Sequence, residues 1–496
     1  MTTEESQVIR NVETGVPGLD TVLGGGLCEY SFNLIAGAPG AGKTTLVQQV
    51  MFKNATPERP ALYFTVLGEP TIKMIRYQRQ FKFFDPARVP SDVRFVNLTS
   101  EAGSGDFDAV LKRIISEVAQ ANPGFVAIDS FRSMIRDRPE LDADGGVALS
   151  HFVQRLAQQL TTWEITSFLI GEYSDEERHN PVFTVADSIL WLSEDVDRNS
   201  ATRKLRVVKV RGRSQMPGLH TVRITDAGME VFPRIPEQQR RVRQSTHRLK
   251  SGVPGLDDMM GGGIPSGDVM LITGPAGTGK TTFATQFVAQ GLADGESCVV
   301  AVFEEYPEAY LARAKTGKVD FDEMVAAGRL AITYLRPLDL SVDEMLAAIE
   351  SEVASVGATR VVIDSLSGFE VALAPTYRQD FRESLYRLIG ALTATGVTVV
   401  MTAEVIDVFP EFRFTTERVS FITDDIVVQR FVEIDGHLQK VVAVVKMRGS
   451  GHATDFRKYD LTSEGAVIGE SLEGYHGITT GVPTLLGKGP GVSPDG

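Results

Sequence analysis

Cysteine, histidine, positive charge and long apolar runs are all scarce in this chain, and each shortage closes off a class of protein. Two cysteines in 496 residues, Cys28 and Cys298, cannot staple a fold of this size, so a reducing, cytoplasmic setting fits better than a disulfide framework. The seven histidines make no H-E-x-x-H and no Cys/His spacing suited to zinc, and no G-x-S-x-G nucleophile elbow occurs. Apolar stretches such as Gly396-Val-Thr-Val-Val-Met401 are strand-sized, well short of the roughly 18 residues that cross a bilayer, so no membrane association is expected. Met1-Thr-Thr-Glu-Glu-Ser6 has neither the basic start nor the apolar stretch of a secretory signal. Against 64 acidic residues stand 50 Lys and Arg, a net charge of -14 that opposes general attraction to nucleic acid.

What is present is a repeat. Gly15-Val-Pro-Gly-Leu-Asp20 with Gly24-Gly-Gly26 returns, 237 residues later, as Gly252-Val-Pro-Gly-Leu-Asp257 with Gly261-Gly-Gly263. Gly37-Ala-Pro-Gly-Ala-Gly-Lys-Thr44 returns as Gly274-Pro-Ala-Gly-Thr-Gly-Lys-Thr281, Val126-Ala-Ile-Asp-Ser130 as Val361-Val-Ile-Asp-Ser365, and Lys209-Val-Arg-Gly212 as Lys446-Met-Arg-Gly449. A period this long is a duplicated globular domain, since solenoid units run about 20 to 50 residues. The segment from Pro233 to Arg248 carries two prolines and no apolar periodicity, which makes it a linker. The expected organisation is a first domain over 1–232, a linker over 233–248, a second domain over 249–469 and a tail over 470–496. Inside each copy, strand-like runs such as Ser31–Ala36 alternate with helical patterns such as Lys43–Lys53, which predicts an α/β fold with a mostly parallel sheet flanked by helices.

G-x-x-x-x-G-K-[ST] follows a predicted strand and opens a predicted helix in both copies. Gly37, Gly40 and Gly42, and likewise Gly274, Gly277, Thr278 and Gly279, let backbone N–H groups converge on phosphate oxygens at a helix N-terminus. Lys43 and Lys280 supply the point charge, and Thr45 and Thr282 continue the loop into the helix. Thr44 and Thr281 offer hydroxyls to Mg²⁺, whose other side Asp129 and Asp364 would hold. The loops therefore call for Mg²⁺ and the phosphates of a nucleotide, which the resemblance described below makes ATP. Hydrolysis also needs a carboxylate to orient the attacking water. Val302-Phe-Glu-Glu-Tyr-Pro307 supplies Glu304 and Glu305, one of them directed at the nucleotide, whereas Thr65-Val-Leu-Gly-Glu-Pro70 leaves the first copy only Glu69, displaced by one residue.

These duplicated motifs, and above all Lys446-Met-Arg-Gly-Ser-Gly-His452, resemble the KaiC family, the double-domain RecA-type ATPases and autokinases of the cyanobacterial clock. The resemblance spans nearly the whole chain. It implies two tandem RecA-like P-loop domains and a homohexamer stacked as a two-tiered ring with ATP between neighbours. It further implies that Lys446, Arg448 and His452 contact a nucleotide held by the adjacent subunit. Lys209 and Arg211 would do so in the first tier, where Gln215 stands in the histidine position. Autophosphorylation on a Ser-Thr pair is implied too, but here Arg418-Val-Ser-Phe-Ile-Thr-Asp424 offers Ser420 followed by Phe421, so a single acceptor is expected, with Thr415 and Thr416 as alternatives. The tail Tyr475–Thr484 looks like the loop through which KaiA regulates KaiC, and a KaiB-like or other regulatory protein is the partner class implied. Two other readings share the P-loops: a RecA-like nucleic-acid-dependent ATPase, which the negative charge and the lack of a basic, aromatic-bearing loop oppose, and a non-catalytic nucleotide-gated scaffold, which the depleted carboxylates of the first copy favour for that copy alone.

Overall fold

The computed structural model describes residues 10–66, 71–103, 106–130, 145–173, 182–197, 200–234, 247–314, 319–335, 340–373, 381–405, 422–434, 436–480 and 483–485. The chain divides into two compact units, Met1–Arg234 and Ile235–Gly496. Each is built on a nine-stranded sheet of the same topology.

In the first unit the spatial order is Gly228–Phe232, His220–Thr225, Ser200–Val210, Ser188–Asp197, Phe32–Gly37, Thr166–Glu172, Phe125–Asp129, Ala61–Thr65 and Val93–Asn97. The last six run parallel and the first three are added antiparallel at one side. The second unit repeats the order with Gly465–Ser471, Arg457–Thr462, His437–Lys446, Asp425–Ile434, Val269–Gly274, Thr398–Glu404, Arg360–Asp364, Cys298–Val302 and Leu330–Tyr334. The strands entering the P-loops, Phe32–Gly37 and Val269–Gly274, lie between parallel neighbours and are buried along their whole length. Their side chains alternate between two cores: Phe32, Leu34 and Ala36 face one and Ile35 the other, as Val269 and Leu271 oppose Met270 and Ile272.

The helices after the loops, Lys43–Asn54 and Lys280–Ala293, each begin behind a glycine with φ 99°, Gly42 and Gly279. Besides the left-handed backbone, a Cβ on Gly42 would lie 2.6 Å from Ile224 Cδ1, and one on Gly279 would lie 2.8 Å from Leu461 Cδ2, so the antiparallel strands press directly on the loop. One buried glutamine per helix ties that contact together. Gln49 donates to the carbonyls of Gly15 (3.0 Å) and Met229 (3.2 Å) and accepts from Met229 N (2.7 Å). Gln286 does the same with Gly252 (3.2 Å), Ala466 O (3.1 Å) and Ala466 N (2.8 Å). The repeated Gly-Val-Pro-Gly-Leu-Asp is thereby explained as architecture: its glycine carbonyl receives the helix glutamine, and its aspartate, Asp20 or Asp257, accepts from the backbone of Thr14 (3.0 Å) or Ser251 (2.9 Å) to close the turn.

The strand Gly465–Ser471 runs past residue 469, and the chain beyond it stays on the second sheet: Leu472 and Ile478 pack with Val432, Ile434 and Val441, and Arg430 donates to Thr479 O at 2.6 Å. Tyr475–His476 pairs with Thr484–Leu485. Among the described residues no helix is long and apolar enough to cross a membrane.

Candidate active site

Both P-loop lysines turn back on their own loops. Lys43 Nζ donates to the carbonyls of Gly37 (3.0 Å) and Ala38 (2.7 Å), and Lys280 Nζ to those of Gly274 (2.9 Å) and Pro275 (2.8 Å). Burial lowers the pKa of Lys43, against the opposing pull of Glu172 and Asp129. Burial lowers that of Lys280 against Glu404, Asp364 and Glu304. Each lysine thus faces a cluster of carboxylates contributed by the carboxyl ends of neighbouring parallel strands, where ligands of open α/β sheets bind.

Asp129 and Asp364 end the strands Phe125–Asp129 and Arg360–Asp364. Thr44 Oγ1 donates to Asp129 Oδ2 at 2.7 Å, joining the two residues expected to serve the metal, and Tyr63 OH donates to the same oxygen at 2.5 Å. Burial raises the pKa of Asp129, and the bonds from Tyr63 and Thr44 work against it. Asp364 takes its bond from Thr402 Oγ1 at 2.5 Å. A hydroxyl beside a carboxylate at a helix N-terminus is a hard-oxygen set that fits Mg²⁺, which takes few protein ligands and fills the rest of its shell with phosphate and water. Among the described residues no group of three or more His, Cys, Asp or Glu suited to a metal occurs.

The two glutamates of the second copy have separate engagements. Glu304 Oε1 accepts from Ser365 Oγ at 2.9 Å, next to Asp364, and belongs to the field around Lys280. Glu305 is ion-paired with Arg313 of the helix Pro307–Arg313. Thr278 braces the loop, its hydroxyl on Pro275 O at 2.9 Å and its carbonyl accepting from Tyr459 OH at 2.6 Å. Glu69, Ser420, Thr415, Thr416, Arg418 and Phe421 lie outside the described residues.

Lys209, Arg211, Lys446 and Arg448 are at the other end of the sheet. Lys209 Nζ donates to Ala186 O (2.6 Å) and Arg211 to Asp187 (3.0 Å), while Asp187 Oδ2 accepts from Phe32 N, the first residue of the P-loop strand. Lys446 Nζ donates to Thr423 O (2.5 Å) and Arg448 to Asp424 (3.3 Å), while Asp424 accepts from Val269 N. Phe32 and Gly37 are five residue steps apart along extended chain, about 16 Å at the rise of a strand. His452 is nearby in sequence, its Nδ1 3.0 Å from Ala453 O.

Sequence reasoning missed four residues. Glu172 and Glu404 occupy the same place in the two copies, each paired in register with the first glycine of its P-loop. Tyr63 and Thr402 hold the strand-end aspartates. A register comparison of the strands flanking the P-loop would have found the glutamates.

The family model described as "ATPase: KaiC" matches residues 12–235 and again 249–473. The circadian clock oscillator protein KaiC of Parathermosynechococcus lividus is 28% identical over 492 residues, covering 97% of this chain and 90% of that protein. The protein of the same name from Rippkaea orientalis is 28% identical over 499 residues, with 98% and 94% covered. That of Synechococcus elongatus is 29% identical over 493 residues, with 97% and 93% covered. With two RecA-like domains, a P-loop at the head of the same helix in each and a family match that runs through both, this chain belongs to the KaiC family of ATPases.

Proposed function

We propose that both domains bind Mg-ATP, that the second hydrolyses it and also transfers its γ-phosphoryl group to Ser420, and that six chains close into a two-tiered ring with the nucleotides between subunits. The observation that carries this reading is the twofold assembly of a P-loop lysine, a strand-end aspartate and a converging glutamate around one helix N-terminus. Bound Mg²⁺ supplies positive charge to the phosphate oxygens. Thr44 with Asp129 and Thr281 with Asp364 are the residues to hold it. The loop amides and Lys43 or Lys280 cradle the phosphates, fixing the reacting group in position. Glu304 is the better candidate to orient a water or accept a serine proton, since it stands beside Lys280 while Glu305 is occupied by Arg313. Arg448 and Lys446 would stabilise charge on a neighbour's nucleotide. The relatives' printed names, circadian clock oscillator proteins, support a timing or signalling role, and a KaiB-like or other regulatory protein is the partner class that the motifs suggest.

The test is phosphate release from the full-length protein in Mg-ATP. Glu304→Gln is expected to lower the second domain's rate about 10²- to 10⁴-fold, the usual loss on removing a positioned base, with Glu305→Gln much milder. Intact-mass spectrometry of the same incubations should show one added phosphate, lost in Ser420→Ala. Equal rates in wild type and Glu304→Gln, or undiminished phosphate in Ser420→Ala, would reject the assignment.

A further inference from the structure

The two copies fix their strand-end aspartates from opposite sides. In the first, the donor is the phenol of Tyr63, on the strand Ala61–Thr65, and it is wholly buried. In the second, it is the hydroxyl of Thr402, on the strand Thr398–Glu404, also wholly buried. These strands flank the aspartate strand on its two sides: Thr65 pairs with Asp129 and Met401 with Ile363. The exchange is complete, because Val300 stands where the first copy has Tyr63 and Ile170 where the second has Thr402, judged by their pairing with the aspartate strands and the matching glutamates. A buried aliphatic would be the cheaper choice at either position, since each hydroxyl must be desolvated and matched with an acceptor. In both copies the acceptor is the carboxylate assigned to the metal side. In the first copy Tyr63 and Thr44 both donate to Oδ2 and neither to Oδ1, which pins the rotation of the carboxylate about its Cβ–Cγ bond.

We propose that Tyr63 and Thr402 are positioning residues for divalent-cation binding, each holding one strand-end aspartate in the orientation its metal site needs. The inference rests on the Mg-ATP reading of the two loops. Outer partners that orient metal-binding carboxylates typically account for about 10- to 100-fold in metal affinity. Neither hydroxyl is assigned any contact with nucleotide, so removing one should leave metal-free nucleotide binding alone and act only through the metal.

The experiment titrates Mg²⁺ against binding of a fluorescent ATP analogue by full-length protein, with a parallel arm in EDTA. In a Lys280→Ala background, which leaves the first loop to bind, Tyr63→Phe should raise the Mg²⁺ concentration at half-saturation about 10- to 100-fold and leave the EDTA affinity unchanged. Thr402→Val in a Lys43→Ala background should do the same for the second loop. Asp129→Asn is the reference for losing the carboxylate. An unshifted Mg²⁺ requirement in Tyr63→Phe, where Asp129→Asn shifts it, overturns the proposal and leaves the Mg-ATP reading standing. If Asp129→Asn is also without effect, both fall. Should Tyr63→Phe fail to fold by circular dichroism, the Thr402→Val arm decides, and an unshifted curve there overturns the proposal.

Discussion

At the scale of single residues the second copy carries a buried acid that the first does not. Asp425 has no exposed surface, and what favours its charge is the backbone amide of Arg448 and the more distant charge of Arg248. Its neighbour in register is Met270. At the matching pair of the first copy, Ser188 donates to Asn33, a neutral bond that satisfies both. Burial, followed by the like charges of Asp268 and Asp424, pushes the Asp425 carboxyl up to about 8. In the unfolded chain an aspartate titrates near 3.9, so folding takes up a proton between those values and stability falls as pH rises from about 4 to about 8. Asp425→Asn removes the charge and keeps the shape. Its melting temperature relative to wild type should therefore climb between pH 5 and pH 9, with nucleotide concentration held fixed because bound ligand also moves the transition. Differential scanning fluorimetry across that range checks it, and an offset independent of pH would show that Asp425 does not titrate in the folded protein.

At the scale of elements, one buried glutamine, Gln286, clamps the P-loop helix to the turn at Gly252 and to the strand Gly465–Ser471. Replacing Gln286 with Leu leaves the carbonyls of Gly252 and Ala466 and the amide of Ala466 without their buried partner. An unsatisfied buried polar group costs about 1–3 kcal/mol, so a loss near 3 kcal/mol is expected, and calorimetry of the full chain should show one transition lowered by roughly 6–12 °C. Loss of both transitions to the same degree would mean that the clamp is not local to its domain. The local elements around this clamp were legible in the sequence: strand 31–36 and helix 43–53 lie within one residue of Phe32–Gly37 and Lys43–Asn54, because a P-loop writes strand, glycines and helix start into a dozen consecutive residues. Glu172 and Glu404 were not. The offset of 237 at the loops has fallen to 235 at Asp129 and Asp364 and to 232 at these glutamates, and only pairing across parallel strands brings them beside Lys43 and Lys280. The packing of Leu472 and Ile478 was hidden for a related reason. Two isolated apolar residues show no periodicity, and the residues they pack against, Val432, Ile434 and Val441, stand 31 to 46 positions earlier in the chain.

At the scale of the whole molecule, the positions of the cations repeated in the two copies argue for assembly. Arg211 and Arg448 are anchored at the amino ends of the strands whose carboxyl ends carry the P-loops, and about 16 Å of strand lies between. An arginine side chain cannot span that distance, so these residues cannot serve the phosphates of their own loops. They suit a heterologous, head-to-tail contact that closes into a ring, in which one chain's arginine meets the next chain's nucleotide. The arrangement makes a complementation test decisive. With Lys43→Ala in every chain to silence the first loop, Lys280→Ala subunits lack a working second P-loop and Arg448→Ala subunits lack the arginine, so each alone should be nearly inactive in phosphate release. Mixed before assembly, they form some boundaries that combine an intact Lys280 from one chain with an intact Arg448 from the other. Random association at equal amounts makes these about a quarter of all boundaries in a head-to-tail ring, and phosphate release should recover in proportion. If Arg448 acts on its own chain's nucleotide, no pairing restores a complete site and the mixture stays as inactive as its components.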